Sequence, residues 1–340
     1  MRRMHRNESP YPPSPQVIKS VREWISKINN YSDPDLWREL ANALEKYTGF
    51  PHSMLVYAPG SLALIRNAII IALKNCGRLI TYRPTFEAVF PFAKSYGVTS
   101  CTVNLRSEDF ELDISQLLNF KPNRNDIIYI SNPNNPTGNI IIKSKSELEE
   151  LLSTEALVVL DEAYYEFSGV TYADLTKDWS NLIILRTLSK AFCLAGARLG
   201  YAIASEELVN KFRSLISPFD IPLLTYIAAI EALNDIDYMR NVIRKIINER
   251  EKMYNELLGL EGVKPYRSYT NFILISLEVL GIEAYVAHEY FKNQGILITI
   301  YPQENMLEYC IRVSISNAED NEYFLHHLKK LIARGKERKT

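Results

Sequence analysis

The chain has 340 residues, 47 % of them apolar, and a formal charge of −1 at pH 7. That length can bury a large core and exceeds the roughly 250 to 300 residues at which single cores stop growing, so two domains are expected. A nearly neutral chain gives no electrostatic reason for a nucleic-acid or membrane partner.

The first clear element opens at Asp33-Pro34, an N-cap followed by a proline at the first helical position; Leu36, Leu40, Leu44 and Tyr47 keep one apolar face, and Gly49 stops the helix. A second, strongly apolar helix runs from Leu62 to Lys74. Short apolar runs then predict strands at 78–83, 98–103, 126–131, 156–160, 182–186 and 199–203. Helices are predicted between several of them, at 85–96, 144–153 and 205–217, the second with a Ser144/Glu147 capping box. A long helical stretch from Leu224 to about Leu258, broken around Asn234 to Asp237, leads into a strand at 271–276, a helix at 282–293, strands at 296–300 and 308–315, and a helix at 319–333. This alternation predicts an α/β protein with a large, doubly wound mixed sheet over 31–235. A smaller α/β domain is expected from 236–340, with residues 1–30 folded against it. The charge run at 334–340 reads as a frayed helix end.

Cys76, Cys101, Cys193 and Cys310 are scattered without a CxxC pair, which suits a reducing cytoplasm and argues against a disulfide framework or a zinc site. The histidines His5, His52, His288, His326 and His327 show no ligand spacing, so no metal is expected. The basic start, residues 1–6, lacks the apolar region of a signal peptide, and the longest apolar run, 68–73, is far short of the roughly 20 residues that a membrane helix needs.

Three strand-then-loop segments carry the chemistry. The apolar run 182–185 leads into Arg186-Thr187-Leu188-Ser189-Lys190, with Arg198 eight residues beyond the lysine. Lysine forms Schiff bases with carbonyls once desolvation or a neighbouring cation lowers its pKa. Thr187, Ser189 and Arg198 suit a phosphate, which accepts charge-assisted and bidentate hydrogen bonds. Together they describe a holder for an aldehyde cofactor bearing a phosphate. The run 156–160 ends in Asp161-Glu162-Ala163-Tyr164, which sets an acid where open α/β sheets bind ligands. Pyridoxal phosphate needs a carboxylate there, because protonation of its pyridine nitrogen makes the ring an electron sink. The third segment, 127–131, runs into the rigid turn Asn132-Pro133-Asn134-Asn135-Pro136-Thr137-Gly138.

In combination, SNPNNPTG at 131–138, DEAYYEF at 161–167 and RTLSKAFCLAGARLGY at 186–201 resemble the fold-type I, class I/II aminotransferases, and within them the histidinol-phosphate aminotransferase branch. Asn7-Glu8-Ser9-Pro10-Tyr11 is similar to that branch's NENPY, Tyr31-Ser32-Asp33-Pro34 to its YPDP, and Ile311-Arg312-Val313-Ser314 to its LRIS, so the likeness spans essentially the whole chain. The resemblance implies a pyridoxal 5'-phosphate enzyme with the cofactor in the large domain. Lys190 would carry the cofactor and shuttle the proton, Asp161 would pair with the pyridine nitrogen, Asn135 and Tyr164 would bind the ring oxygen, and Phe86 would stack on the ring. Gly60, Ser61, Thr187, Ser189 and Arg198 would hold the phosphate. A homodimer is implied, because Tyr31 matches a tyrosine that reaches the phosphate from the other subunit. Arg312 would hold the substrate's carboxylate, with Tyr11 and Asn135 also at the substrate.

Two departures bear on the substrate. The branch usually carries a second arginine in a GIxVR segment, whereas here Gly295-Ile296-Leu297-Ile298-Thr299 ends in threonine; Arg6 and Arg267 are candidate replacements. Gly60-Ser61-Leu62-Ala63 also lacks the carboxylates of the branch's GSDE element. The resemblance therefore implies a small amino-acid or amino-alcohol phosphate and a 2-oxo acid as substrates. Transamination of histidinol phosphate is the leading activity, with threonine-phosphate decarboxylation or a broader aromatic transamination as alternatives.

Overall fold

The computed structural model describes residues 1–74 and 77–337; Cys76 and the end of the charged tail, 338–340, lie outside the described residues. The chain begins with a two-residue strand, β1 (Arg2–Arg3), and then builds a seven-stranded sheet from β2 (Leu55–Ala58), β3 (Leu79–Arg83), β4 (Ser100–Asn104), β5 (Ile127–Ser131), β6 (Leu157–Asp161), β7 (Leu182–Thr187) and β8 (Gly200–Ala204). The spatial order is β2-β8-β7-β6-β5-β3-β4, with β8 antiparallel to both its neighbours and the other adjacent pairs parallel.

Every residue of β5, β6 and β7 is buried, as expected of parallel strands covered on both faces. Successive side chains serve opposite cores: Ile128, Ile130, Val158 and Ile184 face one, and Ile127, Tyr129, Val159 and Ile183 the other. The second core is closed by Leu64, Ile65, Ala68 and Ile69 of helix Ser61–Lys74.

Beyond the large sheet, β9 (Lys264–Pro265), β10 (Phe272–Ser276) and β12 (Cys310–Ser314) form an antiparallel sheet in the order β12-β10-β9, while β1 pairs in parallel with β11 (Ile296–Leu297). Helices Ala284–Asn293 and Ala318–Glu337 meet through the stacked rings of Phe291 and Phe324, with centroids 4.8 Å apart.

Local signals account for most element ends. Helix Pro34–Thr48 is capped by Asp33, which accepts from the Asp35 and Leu36 amides, and it ends at Gly49 with φ +74°. The long helical stretch divides into Leu223–Asn234 and Ile236–Leu258 at the non-helical Asp235. Several elements differ from the sequence expectation, among them helices Pro15–Trp24 and Ile114–Leu118, which were not anticipated, and three have a local cause. Strand β2 was not anticipated, because four residues with no alternation give little signal. The strand expected at 296–300 shortens to Ile296–Leu297, followed by an isolated bridge between Thr299 and Arg312. The helix expected from residue 85 begins only at Val89, because residues 84–88 form a turn after the cis Arg83–Pro84 bond. At the N-terminus, β1 joins β11, while helix Pro15–Trp24 lies on helix Leu223–Asn234, so the first 30 residues touch both parts of the molecule.

Candidate active site

Parallel strands deliver their C-terminal ends to one edge of a sheet, and loops leaving that edge converge. Here the ends of β3, β5, β6 and β7 place Phe86, Asn135, Asp161 and Lys190 around a cleft of about 970 Å³. The far wall is supplied by Asn7, Tyr301 and Arg312, from the N-terminal segment and the chain around β12.

Lys190 Nζ donates to the carbonyl of Arg6 at 3.1 Å. Burial, reinforced by the positive charges of Arg312 and Arg198, brings its pKa down to about 8, so a substantial neutral fraction exists near physiological pH. Asp161 is 4 % exposed; its Oδ2 accepts from the Tyr129 hydroxyl at 2.9 Å and its Oδ1 from the Ala163 amide at 3.1 Å. Burial raises its carboxyl to about 6, which leaves a carboxylate at neutral pH and makes a cationic partner welcome.

Tyr164 packs edge-on against Phe272, and its hydroxyl oxygen accepts from Asn7 Nδ2 at 2.9 Å, leaving the hydroxyl proton available to a ligand. Asn135 Oδ1 accepts from Arg312 Nη1, while its amide NH₂ has no protein partner among the described residues. The bond between Asn135 and Pro136 is cis. Arg312 Nη2 donates to the His5 carbonyl at 2.7 Å and lies 3.2 Å from Thr299 Oγ1, whereas its buried Nε has no partner among the described residues. Such an orphaned donor is costly in a protein interior unless a ligand satisfies it.

At the other end of the cleft, the hydroxyls of Thr187 and Ser189 lie 2.9 Å apart beside Arg198 and the start of helix Ser61–Lys74. Gly60 has φ +82°, and a Cβ there would stand 2.7 Å from Arg198 Nη2. A Cβ on Gly200 would come 2.1 Å from the Ser61 backbone nitrogen, so both glycines let the backbone close around this pocket. Helix-start N–H groups, two hydroxyls and a guanidinium form an anion site.

Not every expected residue lies in the cleft. Tyr11 stands outside its lining, with Lys245 Nζ 5.3 Å from its ring, because the Tyr11 amide turns back onto the Ser9 hydroxyl at 3.1 Å. Tyr31 is 81 % exposed, packs edge-on to Phe219 and does not line the cleft of its own chain. Of the two candidate arginines, Arg6 lines the cleft, whereas Arg267 pairs with Glu251 elsewhere. Tyr129 and Tyr301 escaped the sequence reading; the only available signal for Tyr129 was a polar-tipped ring within the otherwise aliphatic run before Ser131.

Residues 3–328 match the model of the class I and II aminotransferases, and the chain belongs to that family. It is an aminotransferase that depends on pyridoxal 5'-phosphate. It is 34 % identical over 337 residues to the histidinol-phosphate aminotransferase of a Thermoanaerobacter species, covering 97 % of this chain and 93 % of the relative. The crystal structure of the Sinorhizobium meliloti histidinol-phosphate aminotransferase in complex with pyridoxal-5'-phosphate superimposes with a TM-score of 0.84 at 25 % identity, covering 98 % of this chain and 91 % of the other. The L-threonine-O-3-phosphate decarboxylase of Porphyromonas gingivalis shares the fold, with a TM-score of 0.82 at 21 % identity, covering 98 % of this chain and all of the other.

The cleft fits this cofactor on its own geometry. The glycine-lined anion pocket, the buried carboxylate of Asp161 and a lysine with a depressed pKa match its phosphate, ring nitrogen and aldehyde. Bound there, the cofactor supplies an electron sink for charge developing at the substrate carbon. Among the described residues no helix is long and apolar enough to cross a membrane, and no His/Cys/Asp/Glu group could hold a metal ion.

Proposed function

We propose that the enzyme transfers the amino group of histidinol phosphate to 2-oxoglutarate. The observation that carries this reading is Arg312, a buried guanidinium facing Lys190 across the cleft with its Nε unsatisfied, suited to the anionic end of each substrate in turn. Relatives of 30 to 34 % identity that bear the histidinol-phosphate aminotransferase name support the choice of donor. In this reading Lys190 holds the cofactor and moves the proton, and Asp161 anchors the ring nitrogen. Asn135 and Tyr164 orient the ring oxygen, Phe86 covers the ring face, and Thr187, Ser189, Arg198, Gly60 and Ser61 grip the phosphate.

The same reading divides the chain into a cofactor-binding domain, 31–235, and a smaller one made of 1–30 and 236–340. It makes the enzyme a cytoplasmic homodimer in which Tyr31 of one subunit completes the phosphate site of the other. The neighbouring exposed rings of Tyr31 and Phe219 support such an interface. The deciding assay offers histidinol phosphate with 2-oxoglutarate, and threonine phosphate alone, to one preparation. Glutamate from the first supports the reading; carbon dioxide from the second without glutamate from the first replaces it by decarboxylation.

A further inference from the structure

Three carboxylates line the cleft: Glu8, Glu87 and Asp161. Two have protein partners. Asp161 accepts from Tyr129 and Ala163, and Glu8 accepts from the Arg3 guanidinium at 2.7 and 3.0 Å. Glu87 forms no side-chain hydrogen bond and no ion pair among the described residues, although it is half-buried.

Its backbone is held in a turn. Glu87 sits in the turn between Phe86 and helix Val89–Ser95, and its carbonyl accepts from the Phe90 amide at 3.2 Å. The nearby cations are engaged elsewhere: Arg83 pairs with the buried Glu304 and stacks on the Phe90 ring at 3.8 Å, and Arg312 is held by His5, Thr299 and Asn135. Burial and the like charge of Glu304 push the Glu87 carboxyl above its ordinary value, with Arg83 and Arg312 offsetting part of that rise. A carboxylate drawn partly out of water, lining the cleft and without a protein donor, is free to accept a hydrogen bond from a ligand bound there. Glu304 beside it disfavours an anion at that spot. In the reading above, Arg198 is taken by the cofactor's phosphate, so the phosphate or carboxylate end of a substrate is drawn to Arg312 and its amine to the cofactor that Lys190 holds, which leaves the side-chain ring.

We propose that Glu87 is a specificity-determining residue that accepts a hydrogen bond from a ring N–H of the amino donor. This deepens the reading above, in which that ring is an imidazole. Histidinol phosphate satisfies Glu87, whereas threonine phosphate has no ring to offer.

The test titrates the holoenzyme with L-histidine and L-phenylalanine, whose rings are similar in size but of which only the first has an N–H, while following the cofactor absorbance. The wild type should prefer histidine. Glu87→Ala should reduce that preference about 10- to 100-fold, the range of one hydrogen bond to a charged group. Glu87→Gln, which keeps an acceptor oxygen but not the charge, should reduce it less. Binding of 2-aminoethyl phosphate, which has an amine and a phosphate but no ring, should be the same in all three proteins. A wild type without the preference, an unchanged preference in Glu87→Ala, or an equal loss for 2-aminoethyl phosphate would each overturn the proposal. Failure to turn over histidinol phosphate would remove the proposed function instead, and the histidine/phenylalanine comparison would still decide the role of Glu87.

Discussion

Arg312 and Asn135 meet across the cleft: the guanidinium of a β12 residue donates to the amide oxygen of a residue in the loop after β5. That contact ties the arginine proposed to bind substrate to the amide proposed to orient the cofactor ring. Arg312→Lys keeps the charge but loses the planar fork that serves Asn135, His5 and Thr299 together. We expect kcat/KM to fall roughly 10- to 100-fold for both amino donor and 2-oxo acid, equivalent to about 1.4 to 2.7 kcal/mol. Steady-state kinetics with both substrates checks this, and a loss confined to one of them would contradict it.

Thr299 props the same guanidinium, with its hydroxyl between Arg312 Nη2 and the His5 carbonyl. Thr299→Val should loosen Arg312 by one hydrogen bond, about 0.5 to 1.5 kcal/mol, and lower kcat/KM about 2- to 12-fold. Unchanged kinetics would mean that His5 and Asn135 suffice to hold the arginine.

Borohydride reduction of the yellow holoenzyme should leave a pyridoxyl group on Lys190, located by mass spectrometry of peptides. A label on any other lysine would remove the central assignment. Lys190→Ala should abolish turnover yet retain the cofactor through the phosphate pocket.

The depressed pKa of Lys190 predicts how the apoenzyme captures pyridoxal phosphate. Only the neutral amine attacks the aldehyde, so the capture rate should rise with pH through about 8 rather than through the ordinary 10.5. Because Arg312 contributes to the depression, Arg312→Gln should move the midpoint upward. Stopped-flow absorbance across pH 6 to 11 measures both; a wild-type midpoint near 10 would contradict the electrostatic account.

Much of this architecture was legible in the sequence, for a physical reason. Buried parallel strands have to be nearly continuous apolar runs, so 127–131, 157–161 and 182–187 announce themselves, and with them the edge at which Asp161 and Lys190 stand. Contacts between distant segments gave no such signal. The carbonyls of His5 and Arg6 hold Arg312 and Lys190, but a backbone oxygen has no identity in a sequence. Tyr129 beneath Asp161 follows from strand register, and the departure of Tyr11 from the cleft depends on a local turn onto Ser9.

The hold of His5 on Arg312 also constrains the order in which the enzyme matures. The two residues are 307 positions apart, so the segment that carries His5 must wait for β12 to be synthesised before the cleft can close around it. Vectorial synthesis therefore produces the sheet edge that bears Asp161 and Lys190 before the strand that bears Arg312. A nascent chain stalled before β12 would hold the lysine but not the arginine proposed to choose what it reacts with.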